Sequence, residues 1–295
     1  MRVLLVSLLC VCCAGALGQQ PRLAFDIISL RENKSGVGPG GEEESANVPL
    51  GPGNVYSPTQ GQLNLHNIDL MQIISFAYKL TGMQHTRFIE SAPEWAREAR
   101  YDLRARTDNA DVTKDELRAM VQSLLAERFG LKVHTENQTS PVYAMQFVKA
   151  GVPGPHFRAH EGQGCPKDFK QAGEGASELS LTADGYPVVC GGLLLLAGSA
   201  ASHFKLGARD MPISVFTTSL TSWGDLGRPV VNDTGMTGNI DFLLDFVTPQ
   251  GEAAGTVEGD SFRTALKKQL GITLDSQKRA VPVLLLDAIT RPTEN

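Results

Sequence analysis

Beyond residue 17 the sequence has no apolar run long enough to span a bilayer. The longest later stretch, residues 193–197, lies between glycines, and a spanning helix needs roughly 20 apolar residues. A basic stripe is also missing. The 27 lysines and arginines are outnumbered by 32 aspartates and glutamates, for a net charge of −5. Nucleic-acid affinity comes mainly from neutralising phosphates, so that partner class is excluded. Cysteine is scarce: five in 295 residues, three of them Cys10, Cys12 and Cys13. No G-x-S-x-G occurs, and with it goes the nucleophile elbow of the α/β-hydrolases.

What the chain does have begins with Arg2 and an apolar run over residues 3–17, broken only by small residues and Ser7. Ala16 and Gly18 then stand at the −3 and −1 positions of a small-residue cleavage site before Gln19. Residues 1–18 therefore read as a cleavable secretory signal peptide, and the remainder as a protein exported to the periplasm or beyond. The three leader cysteines lack the preceding small-residue pattern that lipidation needs, so they leave with the leader. Cys165 and Cys190 remain. An even pair in an oxidising compartment reads as a disulfide. Closing its loop of about 26 residues stabilises the fold by roughly 3 kcal/mol in the chain-entropy model. The spacing is not the C-x-x-C of a metal or redox pair.

Four helices are legible. Asp69 precedes Leu70, Ile73, Ile74, Ala77 and Leu80, an apolar stripe at helical spacing. Thr113 and Glu116 form a capping box, followed by Leu117, Met120, Val121, Leu124 and Leu125, with Gly130 as the stop. Asp210 is expected to open a third helix through Val215 and Leu220. Asp260 or Ser261 opens a fourth, with Phe262, Ala265, Leu266 and Leu270 inward and Gly271 as the stop. Strands are expected over 25–31, 63–65, 101–105, 131–135 and 142–148, and again over 204–206, 241–246, 272–275 and 281–289. Residues 33–61 form a long polar loop rich in glycine and proline, expected to be a mobile flap or disordered.

A shift of 141 residues lays the second half over the first. Leu65 falls on Leu206, Asp69 on Asp210, Leu125 on Leu266, Gly130 on Gly271, and Pro141-Val142 on Pro282-Val283. A two-residue indel brings Tyr101-Asp102-Leu103 onto Ile240-Asp241-Phe242. One offset relates helix starts, helix stops and a strand-opening proline, the mark of an internal duplication. The expected fold is α+β, with two pseudo-symmetric halves, each a small mixed sheet covered by two helices. Residues 19–150 make the first half, 151–202 a Gly-rich connector carrying the disulfide, and 203–295 the second half.

The blocks QLNLHNIDLMQIISFAYKL, APEWAREARYDLRA, LLAERFGLKVH, TSPVYAMQFVKAG, GRPVVNDTGMTGNIDFLLDF and FRTALKKQLGITLD fall in order along the chain. Together they resemble an uncharacterised family of exported proteins abundant in soil acidobacteria, a domain of unknown function. In some members a similar domain is fused to a BlaR-type membrane metallopeptidase. This chain has no such module and no His-Glu-x-x-His. The resemblance implies export and a shared fold, and supplies no catalytic residues. The run KLGARDMPISVFTTSL, with the GRPVVNDTGMTGNIDFLLDF block after it, also looks like the short N-terminal modules of secretins and TonB-dependent transducers. That is a likeness of fold only.

Several residues could carry chemistry, each with a plainer reading. His156 and His160, near Cys165, have the i,i+4 spacing of zinc ligands on a helix, but the flanking glycines and prolines make them exposed loop histidines. Ser202 and Lys205 match S-x-x-K without its companion sequences. Residues 36–41 match G-x-G-x-x-G, but Glu42, Glu43 and Glu44 follow and would repel phosphate. Asp102 and Asp241 could form a carboxylate pair across a twofold axis; the plain reading puts each on its strand's solvent face. Asp69 and Asp210 are read as N-caps. Trp95 and Trp223 are core plugs or exposed recognition residues.

No catalytic, cofactor-binding or metal residue is assigned, and no cofactor. The leading reading is a non-enzymatic binding module of the envelope, capturing a protein or peptide by strand addition. An exported hydrolase with a non-local site would need a deep pocket of convergent polar groups. A ligand sensor partnering a membrane peptidase would need a small-molecule cavity between the halves. The oligomeric state is left open.

Overall fold

The computed structural model describes residues 23–37, 40–53, 56–80, 82–162, 165–166, 180–255 and 258–292. The leader and the cleavage site at Gly18 and Gln19 lie outside them. The fold is α+β, with three sheets. The first contains β1 (Ile27–Asn33), β2 (Ser45–Ala46), β3 (Gln62–Asp69) and β4 (Arg100–Arg106), in the order β1-β4-β3-β2. The second contains β6 (Phe157–Ala159), β7 (Leu193–Leu195), β8 (His203–Pro212) and β10 (Asn239–Val247), in the order β6-β10-β8-β7. The third is a ribbon of β5 (Lys132–Phe147) and β11 (Ile272–Ala288), with β9 (Val230–Asn232) alongside β5.

In β3 the alternation of the sequence becomes two faces: Leu63 and Leu65 are buried, Gln62, Asn64 and His66 exposed. The strand leads straight into α1 (Leu70–Tyr78), where the Asp69 carboxylate accepts from the Gln72 N–H at 2.7 Å. The Thr113 capping box opens α4 (Lys114–Arg128), as the spacing predicts. The two helices bury Leu70, Ile74, Leu117, Val121 and Leu125 against the sheet, and Tyr101 meets Phe129 edge-on at 5.0 Å. The second core is aromatic: Phe216, from α5 (Ile213–Trp223), packs on Phe242 at 4.8 Å and on Phe157 at 5.3 Å. Ser261 caps α7 (Phe262–Ala265), which runs on as a π-helical turn, Leu266–Leu270, and stops at left-handed Gly271.

Four expectations are corrected. The third helix starts at Ile213, after Pro212, and Asp210 does not cap it. Asp210 sits instead at φ 52, beside a register slip between β8 and β10; such a bulge absorbs an extra residue before the helix. The four-stranded sheets are not mixed: every named pair in them is antiparallel. Parallel pairing among the named strands is limited to β5 with β9. The strand, turn and strand expected after each amphipathic helix is one unbroken strand, β5 or β11. Pro141 and Pro282 sit inside them, opposite Lys278 and Asn137. A two-stranded ribbon has an open side, where a proline's missing N–H breaks no ladder bond. Finally, α2 (Gly82–Ser91), α3 (Glu94–Glu98) and α6 (Pro249–Ala254) were not foreseen.

The ribbon ties the two cores together. At one end Val133, Leu284 and Leu286 pack against the first core. At the other, Met145, Phe147, Ile272 and Leu274 belong to the second.

Candidate functional site

An aspartate anchors the outer face of each four-stranded sheet. In the first, Asp102 on β4 accepts from Asn33 Nδ2 at 3.0 Å, from the Asn67 backbone N–H at 2.9 Å and from His66 Nδ1 at 3.0 Å. Asn67 sits in the β3 bulge at φ 53, and its Oδ1 accepts from Arg100 Nε at 2.8 Å. Partial burial opposes the Asp102 charge, but the bonds from Asn33 and Asn67, with His66 beside it, outweigh this. They hold its carboxyl below the usual carboxylate range. In the second sheet, Asp241 on β10 is only 2 % exposed. It accepts from His160 Nδ1 at 2.7 Å, from the Asp210 backbone N–H at 3.0 Å and from Arg158 Nε at 3.1 Å. Asp210 Oδ1 in turn accepts from Asn239 Nδ2 at 2.7 Å. The two aspartates therefore lie in separate sheets, each consumed by its own partners, and do not form a carboxylate pair.

The outer faces differ in what covers them. Over the second sheet runs the chain's own segment 180–198. Pro187 and Leu196 approach Gly207, and Arg158 stacks on Tyr186 at 4.2 Å. The Cys165–Cys190 disulfide, with Cα atoms 5.9 Å apart, ties this segment down. The first sheet instead presents a groove of about 780 Å³, lined by Ser29, Arg31, Asn47, Asn64, His66 and Arg104. In the ladders Arg104 stands between Ser29 and Asn64, and Arg31 opposite Asp102. Neither the Arg31 nor the Arg104 side chain has a hydrogen bond or ion pair among the described residues, and both residues are exposed. Asp102, which also lines the groove, is held by Asn33, Asn67 and His66, and Glu42 pairs with His66 at 3.2 Å, so the two guanidiniums face the groove unpaired.

A second cavity, of about 200 Å³, lies between the cores. Met83 and Arg87 of α2, Thr218 of α5, Val231 of β9, and Val281 and Val283 of β11 surround it. A third feature is a cradle for residues 51–53. Lys114 Nζ donates to the Gly53 carbonyl at 2.7 Å, and Arg118 Nη2 to Gly51, Pro52 and Gly53 at 2.8–3.1 Å. Lys114 is 4 % exposed. Burial, with Arg118 and Lys79 adding to it and Asp115 opposing, pushes its ammonium down to about 7. The Gly/Pro-rich stretch also sends Val48 and Tyr56 into the first core.

The remaining sequence candidates are placed as follows. His156 is exposed, whereas His160, in the loop just past β6, is not: it is tucked against Asp241. Lys205 pairs with Asp245 at 3.4 Å and His203 binds the same carboxylate, so the S-x-x-K lysine has an acid for company rather than a serine to deprotonate. Gly36 does bond, but through its carbonyl, which accepts from Asn67 Nδ2 at 2.8 Å. Trp95 packs on the first core and carries Arg291 over its ring at 5.0 Å; Trp223 packs on the second. Arg31 and Arg104 went unnoticed in the sequence, where they look like ordinary solvent-side strand residues. Lys114 was hidden by its position one residue after a cap.

Fold and sites together define a mixed α+β protein in which no helix among the described residues is long and apolar enough to cross a membrane. Among those residues no group of three or more His, Cys, Asp or Glu is arranged to hold a metal ion. The chain belongs to the family described as "Protein of unknown function (DUF3738)", whose model matches residues 71–289. No curated protein and no solved structure matches it.

Proposed function

We propose that the protein is an exported, non-enzymatic binding module of the cell envelope, built from two copies of one unit. In this reading the open face of the first sheet takes an extended acidic peptide segment of a protein partner. The observation that carries it is the contrast between the two outer faces. One is covered by the chain's own segment; the other, among the described residues, keeps an open groove with Arg31 and Arg104 unpaired. The two arginines select the charge of the partner's segment.

Duplication is supported by the matching strand orders and by the aspartate clusters. Asp102 and Asp241, Asn67 and Asp210, Asn33 and His160, Arg100 and Asn239 make corresponding bonds; the two bulges align Asp210 with Asn67, not with the Asp69 that the sequence shift lays on it. The ribbon adds a third line. Thr139 lies directly opposite Ala280, 141 residues further on, so equivalent residues meet at its centre. Export rests on the leader-like residues 1–18 and on the disulfide, which belongs to an oxidising compartment.

The test is binding of a fluorescent extended peptide with alternating Asp and Val, beside the Lys counterpart, at two salt concentrations. The acidic peptide binds and weakens with salt. The double variant R31A/R104A loses roughly tenfold in affinity, two surface ion pairs' worth. Equal binding of both peptides, or no loss in the variant, overturns the reading.

A further inference from the structure

We propose that the cavity between the two cores is a binding site for a small amphipathic monocarboxylate, an aromatic or branched aliphatic acid. The walls are Val230, Val231, Val281, Val283, Pro229 and Met83. These valine, proline and methionine side chains have no hydrogen-bond donor to satisfy, the lining expected of an apolar ligand site. The volume of about 200 Å³ is slightly larger than the ~150 Å³ apolar cavity that accommodates benzene in another protein. It suits one ring or a short branched chain with a single polar group, and excludes a nucleotide or a sugar chain.

The charge comes from Arg87. It is half-buried at the cavity wall and its side chain has no hydrogen bond or ion pair among the described residues. The other polar groups at the wall are already engaged: Thr218 Oγ1 donates to the Ser214 carbonyl at 2.8 Å, and Gln84 Nε2 to the Pro282 carbonyl at 3.3 Å. Carboxylate on guanidinium is the pairing that satisfies such a group bidentately. The apolar part then lies against the centre of the ribbon, with α2 on one side and α5 with β9 on the other. A ligand there touches elements packed on both cores, so occupancy bears on how the two are held together. This site is separate from the groove at Arg31 and Arg104, and either can stand without the other.

The probes are phenylacetate, isovalerate, the neutral isostere phenylacetamide, and acetate. They are titrated into protein labelled with ¹³C at the valine methyls. Phenylacetate or isovalerate shifts the methyls of Val230, Val231, Val281 and Val283 and leaves the other valines in place. Acetate, lacking the apolar part, does not. Phenylacetamide and the R87Q variant each bind roughly tenfold or more weakly, the loss of a charge-assisted bond. R87Q alters a half-exposed helix residue, and its unchanged methyl spectrum without ligand checks that it folds. Should R87Q not fold, the amide comparison on the unaltered protein decides alone. The proposal is overturned if neither acid shifts these methyls at millimolar concentration, if acid and amide bind equally, or if the shifts fall elsewhere.

Discussion

Replacing Lys114 with methionine should remove a pH dependence from the stability of the whole protein. The ammonium is 4 % exposed and hydrogen-bonds the carbonyls of Gly51 and Gly53. Burial lowers it from 10.5 to about 7. A lysine with a lower folded than unfolded pKa binds more protons when unfolded between those two values. Stability therefore rises with pH from 7 towards 10.5. Between pH 7 and pH 9 the linkage amounts to about 2 kcal/mol. K114M has no such group. It keeps most of the side-chain volume, and Arg118 still bonds the same carbonyls. At pH 7 the variant is as stable as the parent or more so, because the cost of burying a charge is gone. By pH 9 that relative advantage has fallen by about 2 kcal/mol. Urea unfolding at pH 7, 8 and 9, followed by the fluorescence of Trp95 and Trp223, measures both slopes. Parallel curves for parent and variant would refute the claim that Lys114 is buried with a depressed pKa.

The other expectations are simpler to test. D241N leaves His160 and Arg158 without their buried anion and costs about 3 kcal/mol by urea unfolding. D102N, whose site is one-third exposed, costs about 1 kcal/mol, and equal effects would contradict the burial difference. Because Asp102 is held below the usual carboxylate range, its contribution is present above the ordinary carboxylate pKa and is lost as pH falls through the folded value. The acid limb of the stability curve should flatten below about pH 4 in D102N. T113A removes one half of the capping box and lowers the melting temperature by the equivalent of about 1 kcal/mol. G154A forces a methyl into the backbone at Leu270 and Gly271 and should fail to accumulate, whereas S57A, at an exposed position, should express normally.

How much of this was legible depended on whether the signal was local. Asp69 and Thr113 were readable as caps because a cap and its helix are contiguous in sequence. Asp210 looked the same but serves a bulge, and only its pairing partner on β10 reveals that. The ribbon was divided at Pro141 and Pro282 because proline argues against a strand interior. That the strands have an open side is a fact of tertiary structure. α2 escaped notice because Phe88 is its one fully buried residue, too little for a visible stripe. The groove arginines were invisible for a different reason. Exposed charges on a strand are ordinary, and what distinguishes Arg31 and Arg104 is that neither guanidinium is paired, because Asp102 opposite Arg31 is held by Asn33, Asn67 and His66, a property of the assembled sheet. The cavity between the cores joins residues 83 and 87 to residues 230, 231, 281 and 283, a juxtaposition no window on the sequence contains.

The ribbon also dictates an order of events. The first core is finished by Leu284 and Leu286, which follow the rest of that core in the chain by about 150 residues. An N-terminal portion emerging alone has an unsealed side, and the loop to be closed is some 150 residues long, so contact formation is slow. The first core therefore stays pliable until β11 arrives. Moving β11 ahead of β1 by circular permutation should let the first core close sooner on refolding, followed by the fluorescence of Trp95.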